Sequence, residues 1–174
     1  MPSVVFLRAV NVGGHQKLQP SVLAKKLAKF DVVNAGAAGT FVVRKAVDQT
    51  ALRTEILRAL PFKPEIMICA ARDVITLVDK KPFGDTPPTK DVRQLITIML
   101  KAPRSVPRLP LDQPAGKDWQ ARILSIHGRF AASLWRPQKR AMLYPNAVIE
   151  KQFGIPATTR SWSAFSTIRK LLEA

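Results

Sequence analysis

The opening seventy residues constrain this chain most, because their hydrophobic period changes in the order strand, helix, strand, strand, helix, strand. Ser3 to Val10 is an apolar run rich in β-branched residues. Asn11-Val12-Gly13-Gly14 follows it, so the run reads as a buried strand leading into a Gly-rich loop. From Pro20 to Phe30, Val22, Leu23, Leu27 and Phe30 share one helical face, and Pro20 suits a first turn, where a missing N–H costs nothing. Val32 and Val33 form a short extended piece. A Gly-containing turn over 35–39 leads into a second clear strand, Thr40 to Arg44. Asp48 is the expected N-cap of a helix carrying Leu52, Ile56, Leu57 and Leu60, which Pro61 ends. Glu65 to Ala70 closes the series as a strand. This order is the ferredoxin-like split βαβ arrangement, and right-handed crossovers place both helices on one face of an antiparallel sheet. The other face is either open, as in RNA-recognition domains, or covered by the rest of the chain.

Ala71 to Lys80 reads as a further helix and Arg93 to Leu100 as a further strand. Pro103, Pro107, Pro110, Pro114 and Gly116 then punctuate residues 102–118, which predicts an extended, poorly hydrogen-bonded connector. Beyond it, Arg122 to His127 and Phe130 to Trp135 flank Gly128-Arg129 as a tight hairpin. Pro145 to Phe153 is a helix with Gly154 at its C′ position. Thr159 or Ser161 is expected to cap a last helix reaching Leu172. The expected architecture is α+β: a ferredoxin-like subdomain with an extra helix and strand over 1–101, a Pro-rich connector over 102–118, and a hairpin with two helices over 119–174.

Charge sets the class of partner. The 28 basic residues exceed the 12 acidic ones by 16. The imbalance grows along the chain, from 13 against 7 between Met1 and Pro87 to 15 against 5 between Pro88 and Ala174. Such a field concentrates polyanions, nucleic acid first and small phosphorylated ligands next. One cysteine, Cys69, excludes an internal disulfide framework, and with only His15 and His127 a clustered metal site is not expected. No cofactor is expected either. No window approaches the about 18 apolar residues that would span a bilayer, and no signal-peptide pattern opens the chain. The expected location is the cytoplasm, with no membrane partner, and the oligomeric state is not readable.

Three places could carry function. The first is the loop after the first strand. There Gly13 and Gly14 let a ligand approach the backbone, and Arg8, Asn11 and Lys17 would favour an anion. A plain tight turn explains the same glycines. The second is Thr158-Thr159-Arg160-Ser161-Trp162, read as hydroxyls at a helix start beside an arginine, a phosphate clamp or simply a cap. The third is the acid-free stretch after Trp119, where Arg122, Arg129, Arg136, Lys139 and Arg140 could contact nucleic acid. Phe6 and Phe41 could stack bases if their strands were open to solvent, but they serve a core equally well. No catalytic constellation is recognisable. Cys69 lies in an apolar strand, His127 abuts a hairpin glycine and should be exposed, and no spacing forces two carboxylates together.

Phe6-Leu7-Arg8-Ala9-Val10-Asn11-Val12-Gly13-Gly14, followed by Lys17, resembles the opening motif of domain-of-unknown-function family 1697. Residues 146–151 (Asn-Ala-Val-Ile-Glu-Lys), 154–160 (Gly-Ile-Pro-Ala-Thr-Thr-Arg) and Trp162 resemble its closing motif. The resemblance implies an α+β fold of two subdomains in a set of uncharacterised, mostly bacterial proteins. It singles out Arg8, Asn11, Gly13, Gly14, Lys17, Thr159, Arg160 and Trp162. The chain departs from the pattern in two places. Ala37-Ala38-Gly39-Thr40 stands where the family has Ser-Gly-Asn, and Met142, Leu143 and Tyr144 stand near its Ser-Lys pair.

The expected function is non-enzymatic binding of a polyanion, nucleic acid foremost. The alternatives are an enzyme or sensor holding a small phosphorylated ligand or nucleotide where Asn11-Gly13-Gly14 would face Thr159-Arg160 at the subdomain boundary, and a protein-interaction module.

Overall fold

The first apolar run forms strand β1 (Ser3–Leu7), all five residues of which are buried. A strand buried on both faces needs a layer above and a layer below it, and the chain supplies both. The structure, a computed structural model, describes residues 1–139 and 142–174. By contact the chain divides into two units, Met1–Val78 with Ser163–Ala174, and Asp79–Trp162.

In the first unit β1 is followed by helix α1 (Pro20–Lys26) with a 3-10 turn (Ala28–Phe30), β2 (Val32–Asn34), β3 (Thr40–Val43), α2 (Gln49–Ala59), β4 (Ile66–Ala70) and α3 (Ala71–Asp79). Asp48 caps α2 as expected, its carboxylate accepting from Ala51 N at 3.0 Å. The sheet order is β2-β3-β1-β4 with antiparallel pairings throughout. Each helix therefore crosses over one intervening strand, as a split βαβ pair requires. Alternate residues Val5, Leu7, Phe41, Val43, Ile66 and Ile68 face the buried leucines and isoleucine of α1 and α2.

The opposite face is not open. Val4, Phe6, Val42, Met67 and Cys69 are buried there. Phe6 stacks on Phe165 of the last helix, α5 (Trp162–Glu173), with ring centroids 6.0 Å apart. Arg44 Nε donates to Leu171 O and fastens the same helix to the end of β3. Base stacking on Phe6 and Phe41 is thereby overturned. One ring lies under α5 and the other under α1 and α2, because the sheet has two apolar faces to bury.

The second unit is an antiparallel sheet in the order β6-β7-β8-β5-β9: β5 (Arg93–Met99), β6 (Leu111–Gln113), β7 (Ala121–His127), β8 (Phe130–Trp135) and β9 (Ala157–Ser161). Helix α4 (Pro145–Phe153) lies on one face, where Val148 and Ile149 pack with Met99, Ala121, Ile123, Ala131 and Ala157. Two sequence expectations change here. β5 pairs with β8 on one side and β9 on the other, so the division falls before Asp79 and not in 102–118. The Pro-rich segment also contributes β6, paired to β7. Among the described residues no helix is long and apolar enough to cross a membrane.

Candidate functional site

Arg93 begins β5 and Trp135 ends β8, and the two are directly opposite in the antiparallel register. The chain entering β5 and the chain leaving β8 therefore run out of the sheet side by side. Between 90–93 and 136–138 they enclose a recess of about 280 Å³. Three cations line it, Lys90, Arg93 and Arg136, against one acid, Asp91.

The two arginines are held in place by tryptophans. The Arg93 guanidinium lies 5.5 Å from the centroid of the Trp135 ring, whose other contact is an edge-on packing with Tyr144 at 4.8 Å. Arg136 lies 3.7 Å over Trp119, and its Nη1 donates to Lys117 O at 3.0 Å. Trp119 is buried and also faces Arg122 at 4.4 Å, so one indole is shared by two guanidiniums. Arg122 is engaged by a carboxylate. It pairs with Asp112 through Nε–Oδ1 at 2.7 Å and Nη2–Oδ2 at 2.8 Å. That hydrogen-bonded pair holds the Asp112 carboxyl below its usual range and raises Arg122.

Further along β5, a polar chain crosses the α4 face of the sheet. Thr159 Oγ1 donates to Asn146 Oδ1 at 2.8 Å, and its one proton is then used. Thr97 must therefore donate to Thr159 across their 2.8 Å separation. On the same face, Ser133 Oγ and Trp135 Nε1 are buried with no hydrogen-bond partner among the described residues. Arg160 is buried, with Nη1 donating to Thr158 Oγ1 at 2.7 Å and to Thr159 O at 3.0 Å. Burial pulls its guanidinium down to about 10, against an opposing pull from Tyr144.

The structure places the sequence candidates as follows. Val12, Gly13, Gly14 and His15 form a closed turn, His15 N donating to Val12 O at 3.1 Å, with both glycines at positive φ (58° and 76°). The Asn11 side chain is a staple. Its Nδ2 donates to Leu18 O and Ala37 O, each at 3.1 Å, and its Oδ1 accepts from Leu18 N at 2.7 Å. Lys17 is exposed and Arg8 half-buried. Thr158 to Ser161 are strand residues of β9, paired to β5, and α5 begins at the next residue, Trp162, so Ser161 stands directly before the last helix as expected while Thr158, Thr159 and Arg160 lie in the edge strand. The Gly-Gly loop lies in the first unit and Thr159 and Arg160 in the second.

Of the five arginine and lysine candidates, Arg122 and Arg136 are bonded as above. Arg129 reaches back from the hairpin turn, its Nε donating to Met99 O and its Nη2 to Leu100 O, each at 2.8 Å. Lys139 is exposed, and Arg140 lies outside the described residues. His127 is half-buried rather than exposed, 3.0 Å from Ser125 Oγ. Burial lowers its imidazole, and Lys80 lowers it further. The two side chains sit at i and i+2, a contact the pleat of β7 gives without further design. Lys90 and Arg93 were missed by sequence reasoning. Only the β5–β8 register joins them to Arg136.

A family model described as a protein of unknown function, DUF1697, matches residues 1–123. The closing motif at 146–162 lies beyond that match. No curated protein matches. Among solved structures, the conserved bacterial protein SP0830 from Streptococcus pneumoniae is similar at a TM-score of 0.60 and 16% identity, over 98% of each chain. At that identity the likeness concerns the fold alone.

Proposed function

The chain belongs to the DUF1697 family, and since that family's description assigns no activity we propose, from the chemistry of the recess, that the protein is a non-enzymatic binder of polyanions, nucleic acid foremost. The observation that carries this reading is the set of cations at one end of the second sheet. Lys90 and Arg93 are exposed, Arg136 is fixed over an indole, and Lys117 adjoins Arg136 through its carbonyl. Guanidiniums already held against tryptophan lose little freedom when they meet a phosphate. The Arg122 and Arg129 guanidiniums are both engaged by acceptors of the protein, Asp112 and the Met99 and Leu100 carbonyls.

The test is binding of a labelled single-stranded oligonucleotide between about 50 and 200 mM salt. Log K should fall linearly with log salt, with the slope reduced by about 0.7 for each phosphate contact removed, as in Lys90→Gln or Arg93→Gln. Affinity that stays constant across that range overturns the reading. The concavity of the recess favours a second reading, a sensor for a small phosphorylated ligand, which a thermal-shift screen of sugar phosphates and nucleotides would support by a raised Tm.

A further inference from the structure

We infer that the start of α4, together with two buried polar atoms of β8 that no described residue bonds, is a binding site for a small carboxylate. The site goes beyond the polyanion reading and does not depend on it.

Strand register locates the site. On the α4 face of the second sheet, Tyr144 packs edge-on against Trp135 of β8, and Asn146 accepts from Thr159 of β9. β5 lies between those two strands, so the first turn of α4 reaches across it. Ser133 stands two residues before Trp135 on the same face, opposite Leu95 of β5, and so lies between the two contacts. It is fully buried. Its cross-strand neighbours, Leu95 and Ile123, are apolar and offer its Oγ no partner.

Hydrogen-bond donors gather there without acceptors. Ser133 Oγ and Trp135 Nε1 are buried and unpartnered among the described residues. A helix start leaves its first N–H groups open. In α4 Pro145 has none, Tyr144 supplies no side-chain cap, and the Asn146 N–H finds no acceptor among the described residues. Because Thr159 donates to Asn146 Oδ1, the Asn146 Nδ2 hydrogens remain for another acceptor. Buried donors left unpaired are costly, and a ligand that accepts from them removes the cost.

Charge sets the class of ligand. Arg93 is opposite Trp135 on this face, its guanidinium 5.5 Å from the indole centroid. It is exposed, so it marks the mouth of the site, and Lys90 and Asp91 just before it offset one another in sign. One guanidinium and several neutral donors balance a monoanion. A carboxylate has one charge and two acceptor oxygens, so it can meet the buried hydroxyl and indole on one side and the guanidinium on the other. A phosphate dianion would keep a charge uncompensated in a buried place. The full burial of Ser133 restricts the occupant to a small acid.

Acetate is the probe. The full-length protein, labelled with nitrogen-15, would be titrated with sodium acetate at constant ionic strength, balanced with sodium sulfate. The indole N–H signals of Trp119, Trp135 and Trp162 would be followed separately, with Trp135→Phe assigning the one at the site. The Trp135 signal should move downfield and saturate while the other two stay, and Tm should rise with acetate. Ser133→Ala should weaken acetate about tenfold, the order of one hydrogen bond to a charged group. Arg93→Gln should weaken it at least as much, and Arg93→Lys should recover part. Lys151→Gln, at the far end of α4, should leave it unchanged. Ser133→Ala removes a hydroxyl that no described residue bonds, so it should fold, and a Tm without acetate separates lost binding from lost folding.

A Trp135 signal that does not move overturns the site. So does a movement that Ser133→Ala and Arg93→Gln leave unaltered, since the anion then binds elsewhere. If chloride or inorganic phosphate binds as tightly as acetate with the same Ser133 dependence, the carboxylate class is overturned.

Discussion

The four-stranded sheet surrounds β1 with apolar side chains on both faces, and Ser3 and Thr40 are the polar residues buried with them. In the five-stranded sheet Gln94, Thr97, Ser133, Thr158 and Arg160 are buried instead. Both sheets are antiparallel and both carry a helix, so architecture does not explain the contrast. What differs is the kind of energy each depends on. The first sheet depends on area removed from water, which is non-directional. The second depends in part on directional bonds, which stabilise little when made and cost much when broken. A cation-lined recess belongs beside the second kind of sheet, where polar groups are already fixed in place.

The contrast can be tested by substitution, and the largest effect should come from the apolar sheet. Phe6→Ala removes a fully buried ring stacked on Phe165 and should cost about 3–5 kcal/mol in denaturant unfolding. A loss below about 1 kcal/mol would mean that α5 does not seal that face. Gly39→Ala comes next. Its φ is +84°, and an added Cβ would lie 2.7 Å from Val10 Cγ2 and 3.0 Å from Leu7 Cβ. The expected cost is about 1–3 kcal/mol, read from the same denaturation curves.

The polar sheet should answer in both directions. Thr159→Val strands Thr97 and Asn146 and should cost about 1–3 kcal/mol. Ser133→Ala deletes a buried hydroxyl that has no partner among the described residues, so it should cost nothing and could gain up to about 1 kcal/mol. If the two variants lose equal stability, the directional account of this sheet fails.

The smallest effect is a pH dependence. The His127 imidazole is held below its ordinary value, so the unfolded chain binds that proton more readily than the folded one. Stability should therefore fall as pH drops through the unfolded value of about 6.5. His127→Gln should make that acid-side fall shallower in a Tm series. An unchanged slope would show that His127 does not contribute to it.

Features that depend on neighbours in sequence were legible without the structure. Asp48 three residues before Ala51, Pro20 at a helix start, Gly154 after Phe153, and the two-residue turn at Gly128-Arg129 each act over a few residues, and each stands where it was expected. Ser161 stands directly before α5 as expected, but the segment Thr158-Thr159-Arg160 was misread, because hydroxyl residues suit both a helix cap and an edge strand. Its pairing with β5, more than sixty residues earlier, decided the matter. The candidate site was legible only as a sign of charge. Arg136 stood out in an acid-free stretch, whereas Lys90 and Arg93 looked like ordinary polar residues before a strand.

The sequence by itself determined the α+β class, the element order of the first unit and the surplus of positive charge, because hydrophobic period, turn chemistry and composition are local or additive. Tertiary structure alone decided which cations are consumed inside the fold and which remain around a recess. That choice depends on strand register and on which guanidinium finds a carboxylate, a carbonyl or an indole, and no local pattern in the chain encodes those distances.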